Sequence, residues 1–368
     1  AILLRAFTNI GVIYFQKELE FRKQFIYQFS GTLADFIVAI SAVLILRNVW
    51  ALVLGLLAGN AVRCFVSYLV HPYRPHLSKD LGRAKELFGF GKWIMGSSIL
   101  VFLITQGDDI FVGKILGTTA LGFYQLAYRI SNMPATEITH VISQVTFPAY
   151  SKLQDNIPKL REAYLKVLQL TAFLSFPIAG LIFALAPDFT KIFLGEKWMP
   201  MVPAMQILCI FGVTRSINAL FGSFLQGVGK PSILTKASAI QLAIIIILIY
   251  PLTLQRGIIG TSIVVSFSNA FIMFYLFLRI GHITKIKFIN SLKEIQVCLF
   301  ASIVMFTSLI IFKNILIINT EIGKLIILIF IGVVFYFGFV FLFGHFFQNN
   351  IIKNLRYYSR LLLNKNFD

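Results

Sequence analysis

The chain has 368 residues, of which 58% are hydrophobic and only 13% are charged, and its mean hydropathy is +0.82. A soluble protein of this size could not bury so much apolar surface in one core. A bilayer core about 30 Å thick needs about 20 apolar residues for each helix that crosses it, and the sequence supplies such runs repeatedly. The composition therefore excludes a soluble enzyme and indicates a polytopic membrane protein.

The predicted fold class is all-α, because an open sheet edge in hydrocarbon would leave backbone hydrogen-bonding groups without partners. Continuous apolar runs also argue against the short alternating segments of a transmembrane barrel. About eleven transmembrane helices are expected, and the first is interpreted as a fragment that further helices precede, since the chain opens on Ala1 and this run is short. The predicted spans are 2–15, 28–46, 49–70, 92–116, 119–147, 162–186, 202–226, 234–254, 258–279, 295–313 and 323–347.

Basic residues fall mainly on one side of the membrane when the chain is threaded through these predicted spans. About two thirds of the 33 Lys and Arg residues lie in alternate loops and in the C-terminal tail, and few lie in the intervening loops. By the positive-inside rule, the loops that contain Lys17, Arg74 and Lys285 are predicted to be cytoplasmic, and so is the tail. The net charge of +18 is thereby attributed to topology and to headgroup contact rather than to nucleic-acid binding.

Motifs for nucleotide or metal chemistry are missing from the sequence. Gly229-Lys230 and Gly91-Lys92 resemble phosphate loops, but neither lysine is followed by Ser or Thr. The five histidines are dispersed and the three cysteines are isolated, so neither set has the spacing of metal ligands. No cofactor, metal or nucleic-acid partner is therefore expected.

Charged residues inside the spans are informative, because a charge near the bilayer centre costs at least ~2.5–3.5 kcal/mol and usually faces a cavity or a partner. Embedded cations outnumber embedded carboxylates, which suits an anionic substrate, and Arg binds phosphate through its planar fork. The alternative is pairing within the bundle, for example of Asp109 with Lys114 or Arg129. The candidate anion-binding residues are Arg129, Arg215, Arg63 and Arg5; the candidate coupling carboxylates are Asp108, Asp109 and Glu137; and the candidate cavity-lining polar residues are Asn132, His140 and Asn218.

The predicted span 119–147 combines polar residues with a proline. On one continuous helix, the helical period would place four polar side chains on one face. Pro134 lies among them and would kink the helix there. Kinked helices often mark the cavity of a transporter, which favours a functional role for this face. The four residues are Arg129, Asn132, Thr136 and His140.

Three motifs between Asp108 and Gln154 together carry a family resemblance. The sequence reads D-D-I-F-V-G-K-I-L-G from Asp108, L-G-F-Y-Q-L-A-Y-R from Leu121 and F-P-A-Y-S-K-L-Q from Phe147. This composite pattern resembles the Wzx-type polysaccharide exporters, in the branch that includes the colanic acid and teichuronic acid exporters. These belong to the multidrug/oligosaccharidyl-lipid/polysaccharide (MOP) exporter superfamily. The similarity covers essentially the whole chain.

The resemblance implies a flippase fold of two six-helix lobes around a central cavity, followed by two extra C-terminal helices. The family's first three helices and part of the fourth would then precede this chain. The implied organisation assigns 1–70 to the second half of the N-terminal lobe, 71–91 to a cytoplasmic inter-lobe loop, 92–279 to the C-terminal six-helix lobe, 280–347 to the two extra helices and 348–368 to a basic cytoplasmic tail.

The function implied by the resemblance is the flipping of undecaprenyl-pyrophosphate-linked oligosaccharide repeat units across the bacterial inner membrane, for surface polysaccharide biosynthesis. Such a protein is not an enzyme, and an ion gradient or the membrane potential would drive it. The implied partners are the lipid-linked oligosaccharide, membrane lipids and the polysaccharide polymerase machinery.

Two alternatives come from other functional classes. An ion-coupled small-molecule antiporter of the same superfamily would need acidic cavity residues to dominate over basic ones. A membrane-embedded enzyme acting on the same lipid-linked sugar would be expected to carry a large periplasmic loop, whereas the longest candidate outside loop, 187–201, is short.

The charge pattern makes a topological prediction. Single cysteines at positions 79 and 285 should resist an impermeant thiol reagent in intact cells, whereas a cysteine at position 191 should react, once the three native cysteines are replaced by alanine. After the cells are permeabilised, all three positions should react. This control distinguishes a cytoplasmic cysteine from one that is buried in the protein. Labelling at 79 or 285 without labelling at 191 would contradict the predicted topology and indicate the opposite orientation.

Overall fold

The computed structural model describes residues 2–17, 20–74, 81–133, 136, 139–316 and 320–343. Throughout these ranges every regular element is a helix, and the all-α fold class is confirmed. The α-helices are α1 (Ile2–Ala6), α2 (Ile13–Lys17), α3 (Phe21–Leu46), α4 (Trp50–Val70), α5 (Leu81–Ile115), α6 (Thr118–Ser131), α7 (Thr139–Leu153), α8 (Ile157–Phe189), α9 (Val202–Gly227), α10 (Ser232–Arg256), α11 (Ile258–Thr284), α12 (Phe288–Ile315) and α13 (Glu321–Phe343).

Eight helices within the described ranges are long and apolar enough to cross a membrane. They are α3, α4 and α8 to α13, and each overlaps a predicted span. Their outward faces carry large exposed apolar side chains, such as Leu44 and Ile45 on α3, as lipid-facing surfaces require. The protein is thus a multi-pass membrane protein, but the predicted total of eleven spans is not confirmed.

The first predicted span, 2–15, is wrong as a single helix. The chain forms α1, a short 3-10 turn and then α2. At the break lies the buried side chain of Asn9, which donates to the backbone oxygen of Tyr73 at 2.6 Å, while its backbone N–H donates to Ser67 Oγ at 3.0 Å. The bond to Ser67 satisfies a backbone N–H that a continuous helix would have paired internally, and the bond to Tyr73 satisfies the side-chain amide, so the break is stable in an apolar setting.

The predicted span 119–147 is also wrong as a single helix. It is divided between α6, which ends at Ser131, and α7, which begins at Thr139. In the sequence, Pro134 follows the end of α6 closely; a proline has no backbone N–H to donate and disfavours helical geometry in the residue before it. The proposed polar face of Arg129, Asn132, Thr136 and His140 does not lie on one helix, because Arg129 belongs to α6 and His140 to α7. The side chain of His140 lies outside the described residues, so a common surface for the four stays a prediction.

Between α4 and α6, the helix α5 begins earlier than predicted. It starts at Leu81, so the last part of the predicted loop 71–91 is helical. With 35 residues, α5 is about 52 Å long, which is ample to cross a bilayer. It includes the predicted span 92–116 as far as Ile115, and the apolar character of that span is interrupted by Asp108 and Asp109.

The chain forms two compact units, Ala1–Phe90 and Gly91–Asp368. In the first unit, α3 and α4 pack closely through a G-x-x-x-G pattern at Gly55 and Gly59. A Cβ atom at position 59 would lie only 2.7 Å from the backbone oxygen of Gly31 and 2.9 Å from Cβ of Asp35. The small residues therefore permit the close backbone approach by which membrane helices associate.

In the second unit, α9 is the central helix and packs against α6, α7, α8 and α11. Aromatic side chains fill the core around it: the rings of Tyr164 and Phe224 lie 5.4 Å apart, and those of Phe221 and Phe277 lie 4.7 Å apart. Beyond this core, α12 and α13 pack against α8. The second unit is therefore one continuous helical bundle around α9.

Polar contacts tie together the helix ends of the second unit. Lys313 Nζ lies 2.6 Å from Asp188 Oδ2, and Lys191 Nζ lies 3.4 Å from Glu321 Oε1. All four residues belong to segments predicted to be external. The structure therefore brings together helix ends that the charge pattern places on the same side of the membrane. The charge pattern alone predicts which end faces the cytoplasm.

The contact between α6 and α9 depends on a glycine. A Cβ atom at position 212 would lie 2.2 Å from the backbone oxygen of Ser131, so no larger residue fits without a shift of the backbone. The Ser131 hydroxyl donates to the backbone oxygen of Met205 at 2.7 Å. Together these contacts hold the end of α6 against α9.

Replacing this glycine should destabilise the bundle. We expect Gly212→Ala to reduce the stability of the purified protein by about 1–3 kcal/mol, because the new methyl group overpacks against the backbone of α6. Thermal unfolding in detergent measures the effect. Gly222→Ala on the same helix is the matched control, since its Cβ atom would meet open space. Equal unfolding temperatures for the two variants would contradict this account.

Candidate functional site

A cavity with a volume of about 960 Å³ lies in the first unit. Arg5, Asn60 and Arg63 line it together with Thr32 and other residues, and its described lining contains no carboxylate. We call it the basic cavity. Asn60 and Arg63 are one helical turn apart on α4, which brings both side chains to the same surface.

Neutral side chains orient both arginines of the basic cavity. Arg5 Nε donates to Asn60 Oδ1 at 3.0 Å, and Arg63 Nη2 donates to Thr32 Oγ1 at 3.1 Å. A guanidinium has five N–H donors, so each arginine retains several donors for a ligand. The cavity can therefore present two fixed positive charges to an anion.

A second cavity, of about 400 Å³, lies in the second unit beside α5 and α6. Asp108, Asp109 and Arg129 line it with Gln125 and Tyr128, and we call it the acidic cavity. Both carboxylates come from adjacent positions on α5, so they point in different directions. They therefore occupy different environments.

Asp108 is only 4% exposed, and the Tyr124 hydroxyl donates to its Oδ2 at 2.6 Å. Asp109 is half-buried and accepts a hydrogen bond from Gln125 Nε2 at 3.0 Å. Among the ion pairs of the described residues, none joins either carboxylate to Lys114 or Arg129. Hydrogen bonds from uncharged side chains, rather than ion pairs, thus hold both carboxylates.

A third cavity, of about 270 Å³, is formed by α5, α6, α9, α10 and α11. Arg215, Asn218, Gln241 and Asn269 line it, and we call it the amide cavity. Arg215 Nη1 donates to the Tyr128 hydroxyl at 2.6 Å, and the guanidinium lies over the ring of Phe211. Its walls otherwise consist largely of apolar side chains.

Tyr128 and Thr105 line both the acidic and the amide cavity. Arg129 and Arg215 therefore belong to adjacent cavities that share these two lining residues. Tyr124 lies one turn earlier on α6 and binds Asp108, so α6 carries one tyrosine toward the carboxylate and one toward the arginine.

Other predicted site residues lie elsewhere. Glu137 lies outside the described residues, and for His140 the description is limited to the backbone. Asn132 is buried at the end of α6 and lines none of the three cavities described above. Asn218 lines the amide cavity, as proposed for a cavity residue.

Several residues that line or support these sites were not predicted from the sequence, among them Tyr124, Tyr128, Gln241 and Thr32. Tyr124 and Tyr128 belong to the L-G-F-Y-Q-L-A-Y-R motif, which is the signal that could have identified them. Gln241 is a single amide within a long apolar run, and Thr32 belongs to a span without an embedded cation. Neither of these two carries a distinctive pattern.

Comparison with known proteins places the chain in a family. Residues 1–203 match the family described as "Polysaccharide biosynthesis protein". The chain belongs to this family. The resemblance to polysaccharide exporters that rested on the motifs between Asp108 and Gln154 is thereby confirmed.

Several named proteins are similar in sequence. "Lipopolysaccharide biosynthesis protein WzxC" of Escherichia coli (strain K12) is 29% identical over 273 residues, which cover 72% of this chain and 55% of that protein. "Teichuronic acid biosynthesis protein TuaB" of Bacillus subtilis (strain 168) is 31% identical over 158 residues, which cover 43% of this chain and 33% of that protein. The chain spans about half the length of the curated relatives it matches.

A solved structure supports the fold. "Lipid II flippase MurJ, inward closed conformation" superimposes with a TM-score of 0.71 at 15% identity, covering 86% of this chain and 67% of that chain. At this identity the likeness concerns the fold alone. The flippase fold expected from the resemblance is confirmed.

The two carboxylates of the acidic cavity should differ in their effect on stability. Asp108→Ala leaves the buried Tyr124 hydroxyl without its acceptor, which should cost about 1–3 kcal/mol. Asp109→Ala should cost less, because Asp109 and Gln125 are more exposed. Thermal unfolding of both purified variants measures the difference. Adding Tyr124→Phe to Asp108→Ala should restore part of the loss, and a larger loss for Asp109→Ala would contradict the assignment.

Proposed function

We propose that the full-length protein flips undecaprenyl-pyrophosphate-linked oligosaccharide repeat units from the cytoplasmic to the external leaflet of a bacterial inner membrane. The product would serve surface polysaccharide biosynthesis. The observation that carries this proposal is the basic cavity, in which Arg5 and Arg63 share a space whose described lining contains no carboxylate.

The chemistry of the basic cavity suits a pyrophosphate group. Pyrophosphate oxygens accept hydrogen bonds and carry negative charge, whereas each guanidinium only donates and is always positive. A charge at membrane depth needs compensation, and neither Arg5 nor Arg63 obtains it from a lining carboxylate. An anionic headgroup would therefore supply both the missing charge and the missing acceptors.

In the second unit, Arg129 and Arg215 are proposed as further contacts for the pyrophosphate. Both carboxylates line the acidic cavity, and Asp109 is the preferred coupling residue because it is the more exposed of the two, whereas Asp108 is buried and accepts a hydrogen bond from Tyr124. Glu137 remains a candidate for the same role. The membrane potential is one available energy source, since one charge moving through 100 mV gains about 2.3 kcal/mol.

Names of the relatives agree with transport rather than with an enzyme. One is a "Succinoglycan biosynthesis transport protein", 24% identical over 218 residues, and another is a "Probable low-salt glycan biosynthesis flippase", 25% identical over 227 residues. The acidic cavity would also suit a cation antiporter, but the basic cavity has no role in cation export. We also propose that the tail 348–368 is cytoplasmic and that polymerase machinery receives the flipped lipid.

The basic cavity can be tested by removing its charge. In a strain that lacks the gene, the full-length protein with Arg5→Gln and Arg63→Gln should support at least tenfold less surface polysaccharide than the unaltered protein. Arg63→Lys should already impair transport, because it keeps the charge but loses the bidentate fork. Quantitative immunoblotting of the membrane fraction must show equal protein amounts.

Arg22→Gln is the matched control, because Arg22 lies on α3 of the same unit, is exposed and does not line the basic cavity. This variant should support normal surface polysaccharide. Normal polysaccharide from the double variant at normal protein levels would show that the basic cavity does not hold the headgroup.

A further inference from the structure

The amide cavity differs from the other two in the chemistry that it presents. Its described lining includes Asn218 and Asn269 from α9 and α11, and Gln241 and Ser238 from α10, but no carboxylate. Besides Arg215, its polar groups are therefore uncharged amides and hydroxyls. Each amide offers both a donor and an acceptor.

These amides have unused hydrogen-bonding capacity. Gln241 has no hydrogen-bond partner among the described residues, although it is half-buried in an apolar bundle. Asn218 donates to the backbone oxygen of Asn269 at 3.1 Å and to its side-chain oxygen, but its own Oδ1 atom is buried without a partner in the described part of the chain. A buried polar group without a partner costs about 1–3 kcal/mol, so these groups are suited to a ligand that restores the missing bonds.

The missing bonds indicate which ligand fits. A phosphate group only accepts hydrogen bonds, so an amide oxygen has nothing to offer it. A sugar hydroxyl both donates and accepts, and a pair of neighbouring hydroxyls can match both ends of one amide. The mixture of donors and acceptors therefore favours hydroxyl groups over phosphate.

The walls of the amide cavity suit the remaining surface of a sugar. Phe211 and Tyr128 lie with their ring centroids 5.1 Å apart, and Ile245 and Leu276 contribute apolar surface. A pyranose ring presents C–H groups on its faces and hydroxyl groups around its rim. The small side chains of Ala219 and Ala237 leave the space of about 270 Å³ open, which corresponds to one ring rather than to a whole oligosaccharide.

We propose that the amide cavity binds one neutral sugar ring of the lipid-linked repeat unit, with Gln241 and Asn218 recognising its hydroxyl groups. The proposal rests on the proposed function, because it takes its ligand from the same lipid-linked substrate. It assigns sugar recognition to uncharged side chains that are distinct from the arginines proposed for the pyrophosphate. Gln241 and Asn218 would thus contribute to specificity, whereas Arg215 in the same cavity is the residue proposed for the headgroup.

The experiment compares two lipid probes. The full-length protein in proteoliposomes is given undecaprenyl pyrophosphate carrying the host's repeat unit, or undecaprenyl pyrophosphate without sugar. Gln241→Leu removes the free amide while keeping a side chain of similar length. Gln255→Leu is the matched control, because Gln255 lies on the same helix, is exposed and does not line the amide cavity.

We expect Gln241→Leu to slow flipping of the sugar-bearing lipid roughly fivefold to tenfold, as the loss of one or two hydrogen bonds implies. Flipping of the sugar-free lipid should stay within about twofold of the unaltered protein. Gln255→Leu should leave both rates unchanged. Equal slowing of both lipids by Gln241→Leu, or no slowing of either, would overturn the proposal.

A binding measurement separates this proposal from the proposed function. The thermal unfolding temperature of the detergent-purified protein should rise more with the sugar-bearing lipid than with the sugar-free lipid, since a ligand stabilises the state that it binds. Gln241→Leu should abolish the difference. If this pattern holds while neither lipid is flipped, the sugar site stands and the transport function fails; if the unaltered protein shows no difference between the lipids, the sugar site is wrong.

Discussion

Lipid cannot solvate an ion or an unpaired polar group, and this constraint governs how the polar side chains of the bundle are placed. The protein meets it in two ways. Some groups are satisfied by neighbours, as when Asn9 bonds Tyr73 and when Asp108 accepts from Tyr124. Others, including Arg5 and Arg63, line a cavity instead. We propose that the second group binds the anionic substrate, because no carboxylate in the described lining of the basic cavity neutralises its charge.

In the second unit, α6 contributes side chains to both the acidic cavity and the amide cavity. It is a short helix whose end is fixed against α9 by the contact of Gly212 with the backbone of Ser131. Its two tyrosines then reach Asp108 on one side and Arg215 on the other. The positions of an acidic and a basic group therefore both depend on how firmly one helix is docked. A shift of α6 would alter both cavities at once.

Hydropathy alone was enough to predict eight of the membrane helices, because a run of about 20 apolar residues has few alternatives in lipid. It failed at 2–15 and 119–147, where the chain breaks. Such breaks depend on bonds to distant residues, such as that of Asn9 to Tyr73, or on local backbone chemistry near Pro134. The arginines that line the cavities were predictable from the sequence, because a charged residue stands out in an apolar run. Gln241 was not, because an uncharged amide gains significance only when other helices bring partners beside it.

The ring of Tyr128 is a shared wall between the acidic and the amide cavity. Thr105 is the other residue that lines both cavities, and we expect a smaller residue in place of Tyr128 to widen the space between them. Under the proposed function, a change at this one codon would enlarge the space for a glycan without altering any charge. An alignment of exporters ordered by the size of their glycan would reveal this, since those that handle bulkier units should carry smaller residues here.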